Sequence, residues 1–114
     1  MILVVDDDPR IRNAATKLLI EQGHRVIASD GGVAALAALA THPDVTLIIS
    51  DVLMPGMNGP ALVRQAKAVR PDLAIVFISG DVGDIPASDF AGHELLPKPF
   101  TASALIAAVR RAAV

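Results

Sequence analysis

The segment IISDVLMPGMNG, residues 48–59, begins as a run apolar enough for a buried strand, ends that run on a carboxylate, Asp51, and then breaks into a loop holding Pro55, Gly56 and Gly59. An isolated carboxylate in an apolar interior is costly or takes up a proton, so Asp51 implies a neighbour that stabilises its charge. The same pattern recurs along the chain: residues 2–5 lead into Asp6 and Asp7, residues 74–78 into Ser79, and residues 94–97 into Lys98. If those positions share one edge, three carboxylates meet a hydroxyl and an ammonium. Clustered carboxylates repel one another, raise each other's pKa values and destabilise a fold unless cations compensate. Lys98 supplies one positive charge. The remaining deficit suits Mg²⁺, with Mn²⁺ able to substitute. Mg²⁺ binds through a few carboxylates and keeps several waters, one of which a phosphoryl oxygen can replace. The chemistry that fits is phosphoryl transfer, with Asp51 as the in-line nucleophile and the metal, Lys98 and Ser79 neutralising the phosphoryl oxygens.

The elements that must position these groups alternate between two periods. Short aliphatic runs at residues 2–5, 25–28, 45–50, 74–79 and 94–97 have strand length and composition. Helical spacing separates most of them. The first helix places Ile11, Ala14, Ala15, Leu18 and Leu19 on one face, with Asp8 as N-cap, Pro9 at the first helical position and Gly23 ending it. The second, residues 33–40, is apolar nearly all round and is expected to be wedged between neighbours. The third turns Leu62, Ala66 and Val69 inward and Arg64, Lys67 and Arg70 outward, with Asn58 able to cap it. The last starts at Thr101 and buries Leu105, Ile106 and Val109. Alternating strands and helices imply a five-stranded parallel sheet, doubly wound, with helices on both faces. In such a sheet ligands bind at the carboxyl ends of the strands, where Asp6, Asp7, Asp51, Ser79 and Lys98 fall. The fourth crossover breaks the pattern. Its stretch GDVGDIPASDFAGH opposes a normal helix, so the fourth helix is expected to be short or irregular, one or two turns at most, with Phe90 as its apolar anchor.

Bulk properties set limits on function. At 114 residues, with 53% hydrophobic residues, no cysteine and a formal net charge of −2, the chain is read as one compact domain over residues 1–114 with no output domain. It lacks the basic footprint of a nucleic-acid binder, and no apolar run approaches a membrane span. Neither nucleic acid nor membrane is expected as a partner, and the expected location is cytoplasmic.

With those residues in hand, the chain resembles the receiver domain of two-component response regulators over its whole length. The motifs are ILVVDDDP at residues 2–9, SDVLMPGMNG at 50–59, FISG at 77–80 and PKPF at 97–100, each weak alone and together specific in this order. The resemblance implies a flavodoxin-like sheet of strand order 2-1-3-4-5. It also implies that Asp51 is the phosphoacceptor, Asp7 the direct metal ligand, Asp6 a ligand through water, and the main-chain carbonyl of Leu53 the remaining protein ligand. Ser79 takes the place of the switch hydroxyl, Gly80 that of the small residue beside it, and Lys98 that of the phosphate-binding lysine. The Lys98–Pro99 bond is usually cis in this family. A histidine kinase or histidine phosphotransfer protein is the implied donor. A downstream protein, or a covalently linked kinase or output domain, is the implied recipient of the signal, from a monomer or weak homodimer. Such a domain catalyses its own phosphorylation and dephosphorylation at Asp51 and turns over no external substrate. One position departs from the pattern: Leu95 stands where Tyr or Phe is common, so the usual aromatic rotor is missing.

Other candidates carry blander readings. His24, His42 and His93 lack metal-ligand spacing and are read as surface histidines, and Gly31 and Gly32 as turn residues without nucleotide-loop spacing. Two other functions compete. A haloacid-dehalogenase-like small phosphatase would use Asp6 and Asp8 as its DxD pair, against which Pro9 and the missing cap domain argue. A receiver-like interaction module that is never phosphorylated is opposed by the completeness of the pocket.

Overall fold

The computed structural model describes residues 1–80, 83, 85–90 and 92–113. Its elements run β1 (Ile2–Val5), α1 (Pro9–Glu21), β2 (Val26–Ser29), α2 (Gly32–Thr41), β3 (Leu47–Asp51), α3 (Gly59–Val69), β4 (Ala74–Ser79), a 3-10 turn (Ala87–Phe90), β5 (Glu94–Pro97) and α4 (Ala102–Ala113). All four strand pairings are parallel, in the order β2-β1-β3-β4-β5, the doubly wound layer expected from the sequence. β3 starts at Leu47 rather than Val45 because the Val45 N–H turns back to the His42 carbonyl at 3.2 Å.

Alternation along the central strands fills two cores. Leu3, Val5, Ile48 and Phe77 face the side of α2 and α3, where Leu39, Leu62 and Val63 meet them. Ile2, Val4, Leu47, Ile49, Val76 and Ile78 face α1 and α4, under Leu19, Leu105 and Val109. Because both faces are covered, the strands read as continuous apolar runs. The helix ends follow their local signals. Asp8 accepts from the Arg10 N–H at 2.9 Å, Asn58 from the Ala61 N–H at 2.8 Å and Thr101 from the Ala104 N–H at 3.1 Å, each satisfying a donor left open in a first turn. α1 ends through Gln22 into Gly23, whose φ of +92° favours glycine.

Several inward assignments differ from expectation. Ala14 is exposed, and α1 buries the narrower pair Ala15 and Leu19. α2 is not wedged on all sides: Ala35 and Leu39 are buried, but Val33 is 76% exposed and Ala34, Ala37 and Ala40 face out. Its apolarity is largely alanine, which suits a helix without requiring burial. In α3 the buried stripe runs Gly59, Leu62, Val63 and Ala66, so its last turn presents Arg70 inward and leaves Val69 81% exposed. Arg70 then donates to the Val45 carbonyl at 3.3 Å and to the Leu39 carbonyl, closing the end of α2. Ile106 in α4 is only half-buried.

Among the described residues, the fourth crossover has one 3-10 turn. Phe90 anchors it edge-on against Phe77, with ring centroids 5.4 Å apart. The cost of this short cover falls on β5. Leu95 pairs in register with Phe77 and shares its face, yet is 43% exposed, whereas Leu96 on the opposite face is buried with α4. Pro97 ends β5 at the sheet edge, where a missing N–H is tolerated.

Candidate functional site

Parallel register brings the chemical residues together. Val5 is level with Ser50 and Asp51 with Ile78, so Asp6 emerges beside Asp51 and Ser79 one step beyond. Ser79 is level with Pro97, and the Lys98 N–H donates to the Ser79 carbonyl at 2.8 Å. All five residues read from the sequence therefore stand at the carboxyl edge. Carboxylate oxygens of Asp6, Asp7 and Asp51 all lie within 4.8 Å of one another.

Asp6 and Asp51 are buried, 2% and 7% exposed, while Asp7 is exposed. The Lys98 ammonium sits 3.1 Å from Asp6 Oδ2 and 3.3 Å from Asp51 Oδ1, bridging the two buried acids. One cation between two acids leaves a deficit. Burial first, and the Asp6 charge second, push the Asp51 carboxyl above its ordinary value, while Lys98 and the Val52 N–H pull it partway back. Burial works against the Lys98 charge too, but Asp6 and Asp51 outweigh it and raise the Lys98 pKa.

The individual oxygens differ. Asp51 Oδ1 accepts the Val52 N–H at 2.8 Å, and Asp6 Oδ1 accepts the Asp8 N–H at 2.9 Å. Asp6 Oδ2 is buried and receives no aligned hydrogen bond from any described residue, although the Lys98 ammonium stands 3.1 Å away. A buried carboxylate oxygen without a donor, beside an exposed carboxylate and a third whose pKa is raised, is a donor set that fits a hard divalent cation. Among the described residues this is the only group of three or more such side chains placed to hold a metal.

The loop after Asp51 is shaped by close approach. A Cβ on Gly59 would lie 2.4 Å from the Asp51 carbonyl oxygen, and the Gly59 N–H donates to the Val52 carbonyl at 2.8 Å, so only glycine lets α3 start against the acid's own backbone. The Ser50 hydroxyl donates to that same Asp51 carbonyl at 2.8 Å. Gly80 is less constrained, since a Cβ there would make ordinary contact with Lys98 Cβ at 3.7 Å. Leu53 is exposed two residues after Asp51. The Lys98–Pro99 peptide is cis.

Close approach of the loop to Asp51 is what Gly59 allows, and the residues sequence reasoning missed are Ser50 and Arg12, whose Nη1 donates to the Asp6 carbonyl at 2.8 Å. No periodicity or motif marks a guanidinium folding back onto a carbonyl six positions earlier. The histidines stand apart from the acids: His24 is exposed, His42 bonds to the Ala38 carbonyl at 2.9 Å, and His93 packs edge-on to Phe77. Asp8 serves as the α1 cap and is paired with Arg10 at 3.1 Å, so the second acid of the DxD reading is already engaged.

Fold and edge together define a class of small doubly wound α/β domains in which strand-end carboxylates face a strand-end lysine. The chain belongs to the response regulator receiver domain family, whose pattern matches residues 2–110. It is similar to the DNA-binding transcriptional regulator NtrC of Azospirillum brasilense, 38% identical over 114 residues, covering 97% of this chain and 24% of that protein. It is also similar to the sensor kinase CckA of Brucella abortus, 33% identical over 113 residues, covering 96% of this chain and 12% of that one. The chain thus spans a quarter or less of the length of these relatives. Among solved structures, the chemotaxis protein CheY4 of Vibrio cholerae matches with a TM-score of 0.89 at 26% identity, covering 97% of this chain and 96% of the other.

Proposed function

We propose that this receiver domain takes a phosphoryl group onto Asp51. The observation that carries the reading is Asp51 itself, a buried carboxyl ending a central strand, 3.3 Å from Lys98, whose surroundings raise its pKa. Oδ1 is held by the Val52 N–H and Lys98, which leaves Oδ2 to form the bond to phosphorus. As that bond forms, the bond from phosphorus to a donor histidine nitrogen breaks and the imidazole leaves with its electron pair. Lys98 stays beside Asp51 Oδ1, where charge builds on the phosphoryl oxygens. Ser79, at the end of β4, is the hydroxyl that follows the phosphoryl group, and Gly80 keeps its surroundings small. Asp6, Asp7, Asp51 and the Leu53 carbonyl would hold Mg²⁺, with Mn²⁺ as substitute. When bound, the ion supplies positive charge for the phosphoryl oxygens.

The donor is a histidine kinase or histidine phosphotransfer protein. The recipient of the signal is a downstream protein or a linked kinase or output domain, and the setting is cytoplasmic. No helix among the described residues is long and apolar enough to cross a membrane. The domain modifies itself and turns over no external substrate. Asp8, already bound as a helix cap, gives the phosphatase reading no support.

Intact-mass measurement after incubation with acetyl phosphate and Mg²⁺ tests the proposal. A single added phosphoryl group is expected on the parent and none on Asp51→Asn. An unchanged parent mass, or an Asp51→Asn variant modified equally, overturns it.

A further inference from the structure

Arg12 lies in the second turn of α1, half-buried, and its Nη1 donates to the main-chain carbonyl of Asp6 at 2.8 Å. That carbonyl lies one residue past the end of β1, where the sheet stops supplying regular partners and a buried backbone acceptor still needs a donor. The rest of the turn is tied down as well. Asp6 N–H donates to the Ser29 carbonyl at 3.2 Å, Asp6 Oδ1 accepts the Asp8 N–H at 2.9 Å, and Asp8 caps α1 through the Arg10 N–H at 2.9 Å. In the middle stands Asp7, exposed, its carboxylate without a hydrogen bond or ion pair to any described residue.

We infer that Arg12 is the positioning residue for Asp7. The Asp6 carbonyl belongs to the peptide plane that joins Asp6 to Asp7, so a guanidinium that holds this oxygen holds the Asp7 N–Cα bond and leaves φ as the one backbone torsion that still turns the Asp7 side chain relative to that plane. Asp6 and Asp51 are held by burial and by Lys98; Asp7 has only its backbone to aim it. The inference rests on the reading of this edge as a metal site, and it concerns how that site is preorganised.

The charge on Arg12 makes the idea testable by sign. A cation beside a metal site repels the metal, so if Arg12 acted only through its charge, Arg12→Ala would bind Mg²⁺ more tightly than the parent. A positioning role predicts the opposite. Titration calorimetry with MgCl₂ on the unphosphorylated protein should show Arg12→Ala binding about tenfold more weakly, the lower end of losses seen when a residue behind a metal ligand is removed. Arg12→Lys keeps one donor that can reach the carbonyl and should recover most of the affinity. Metal-free thermal melts, run in parallel, detect a purely structural role. Equal or tighter Mg²⁺ binding by Arg12→Ala overturns the inference, as does a lowered metal-free melt with unchanged affinity. If Arg12→Ala fails to fold, Arg12→Gln and Arg12→Lys decide: Gln, too short to reach the carbonyl, should bind Mg²⁺ more weakly than Lys, and Gln binding as tightly as the parent or more tightly overturns the inference. A parent that gives no Mg²⁺ isotherm overturns the metal reading itself.

Discussion

At the amino ends of the strands the charged groups are matched locally. Arg25 lies 2.8 Å from Asp44, Arg111 lies 3.0 Å from Glu94, Lys67 donates to the Leu73 carbonyl at 3.2 Å, and Arg70 donates to carbonyls at the end of α2 and before β3. At the carboxyl ends Asp6 and Asp51 share one lysine, Asp7 beside them pairs with no described residue, and Asp6 Oδ2 has no aligned donor among the described residues. A cleft of ≈ 750 Å³ also lies at the amino end, between Lys67, Leu73, His93, Glu94 and Arg111. A concave hollow is a reasonable first guide to a binding site, and this one lies away from the acids. What marks the chemical end is charge held in place without compensation, because that is the condition a cation or phosphoryl group relieves. Titration follows the same division. Burial and Asp6 raise the Asp51 pKa at one end, while burial and Lys67 lower that of His93 at the other.

The sharpest way to break this comparison is to remove the one cation at the crowded end. Lys98→Ala leaves Asp6 and Asp51 buried and facing each other with no positive charge between them. Losing one partner of a buried pair typically costs ~3–5 kcal/mol; the Lys98 side chain is 20% exposed, so a loss of about 2 kcal/mol at pH 7 is expected. Urea unfolding measures it. The loss should shrink as pH falls and a carboxyl protonates, and millimolar Mg²⁺ should restore part of it. A pH-independent loss, or one no larger than that of an exposed arginine, would mean that the acids are not strained.

A smaller effect of the opposite sign is expected from Asp51→Asn in metal-free buffer. The Asp51 pKa is raised on folding, so the folded protein holds this proton more tightly than the unfolded chain does. The stability contributed by the protonated form is complete below the unfolded value of 3.8 and is lost as pH rises through the higher folded value. Ionising the folded parent as pH rises therefore costs stability, and the neutral amide should melt a few degrees higher at pH 7. That advantage should fade as pH falls toward 3.8, where the parent carboxyl is itself neutral. An Asn variant less stable than the parent at pH 7 would show that Lys98 over-compensates the cluster.

These strained positions were legible in the sequence because they depend only on where strands end. Once alternating runs imply a parallel sheet, every residue following a run lands on one edge, and Asp6, Asp7, Asp51, Ser79 and Lys98 follow from counting. What was not legible depends on where side chains turn after leaving the backbone. Val69 and Arg70 are adjacent in the last turn of α3, and the apolar one was expected inside. The structure puts the arginine inward because two carbonyls, of Leu39 and Val45, need a donor there. Arg12 is the same case at the site itself: a residue that reads as surface charge is placed by an acceptor on another element. Gly59 stands among other loop glycines, and only its 2.4 Å clearance to the Asp51 carbonyl sets it apart. The exposed alanines of α2 reflect composition without direction, since alanine favours a helix on either face.

The smallest effect should come from the amino end. Arg111 Nε meets Glu94 Oε1 at 3.0 Å, but the Arg111 side chain is 57% exposed, so water and salt screen the pair. Exposed pairs of this kind contribute ~0–1 kcal/mol, and the gain in helix propensity on replacing an arginine of α4 by alanine offsets part of even that. Arg111→Ala should therefore cost about 0.5 kcal/mol or less by urea unfolding, and less still in high salt. Its Mg²⁺ affinity and phosphoryl uptake should match the parent, because Glu94 opens β5 while Lys98 follows its end, and no shortage of countercharge links the two. A loss above about 1.5 kcal/mol exceeds what a screened surface pair supplies and would mean that the amino-end charges, although paired, are strained as well. A changed Mg²⁺ affinity would go further, since the two ends could then no longer be treated as separate electrostatic systems joined only by the strands between them.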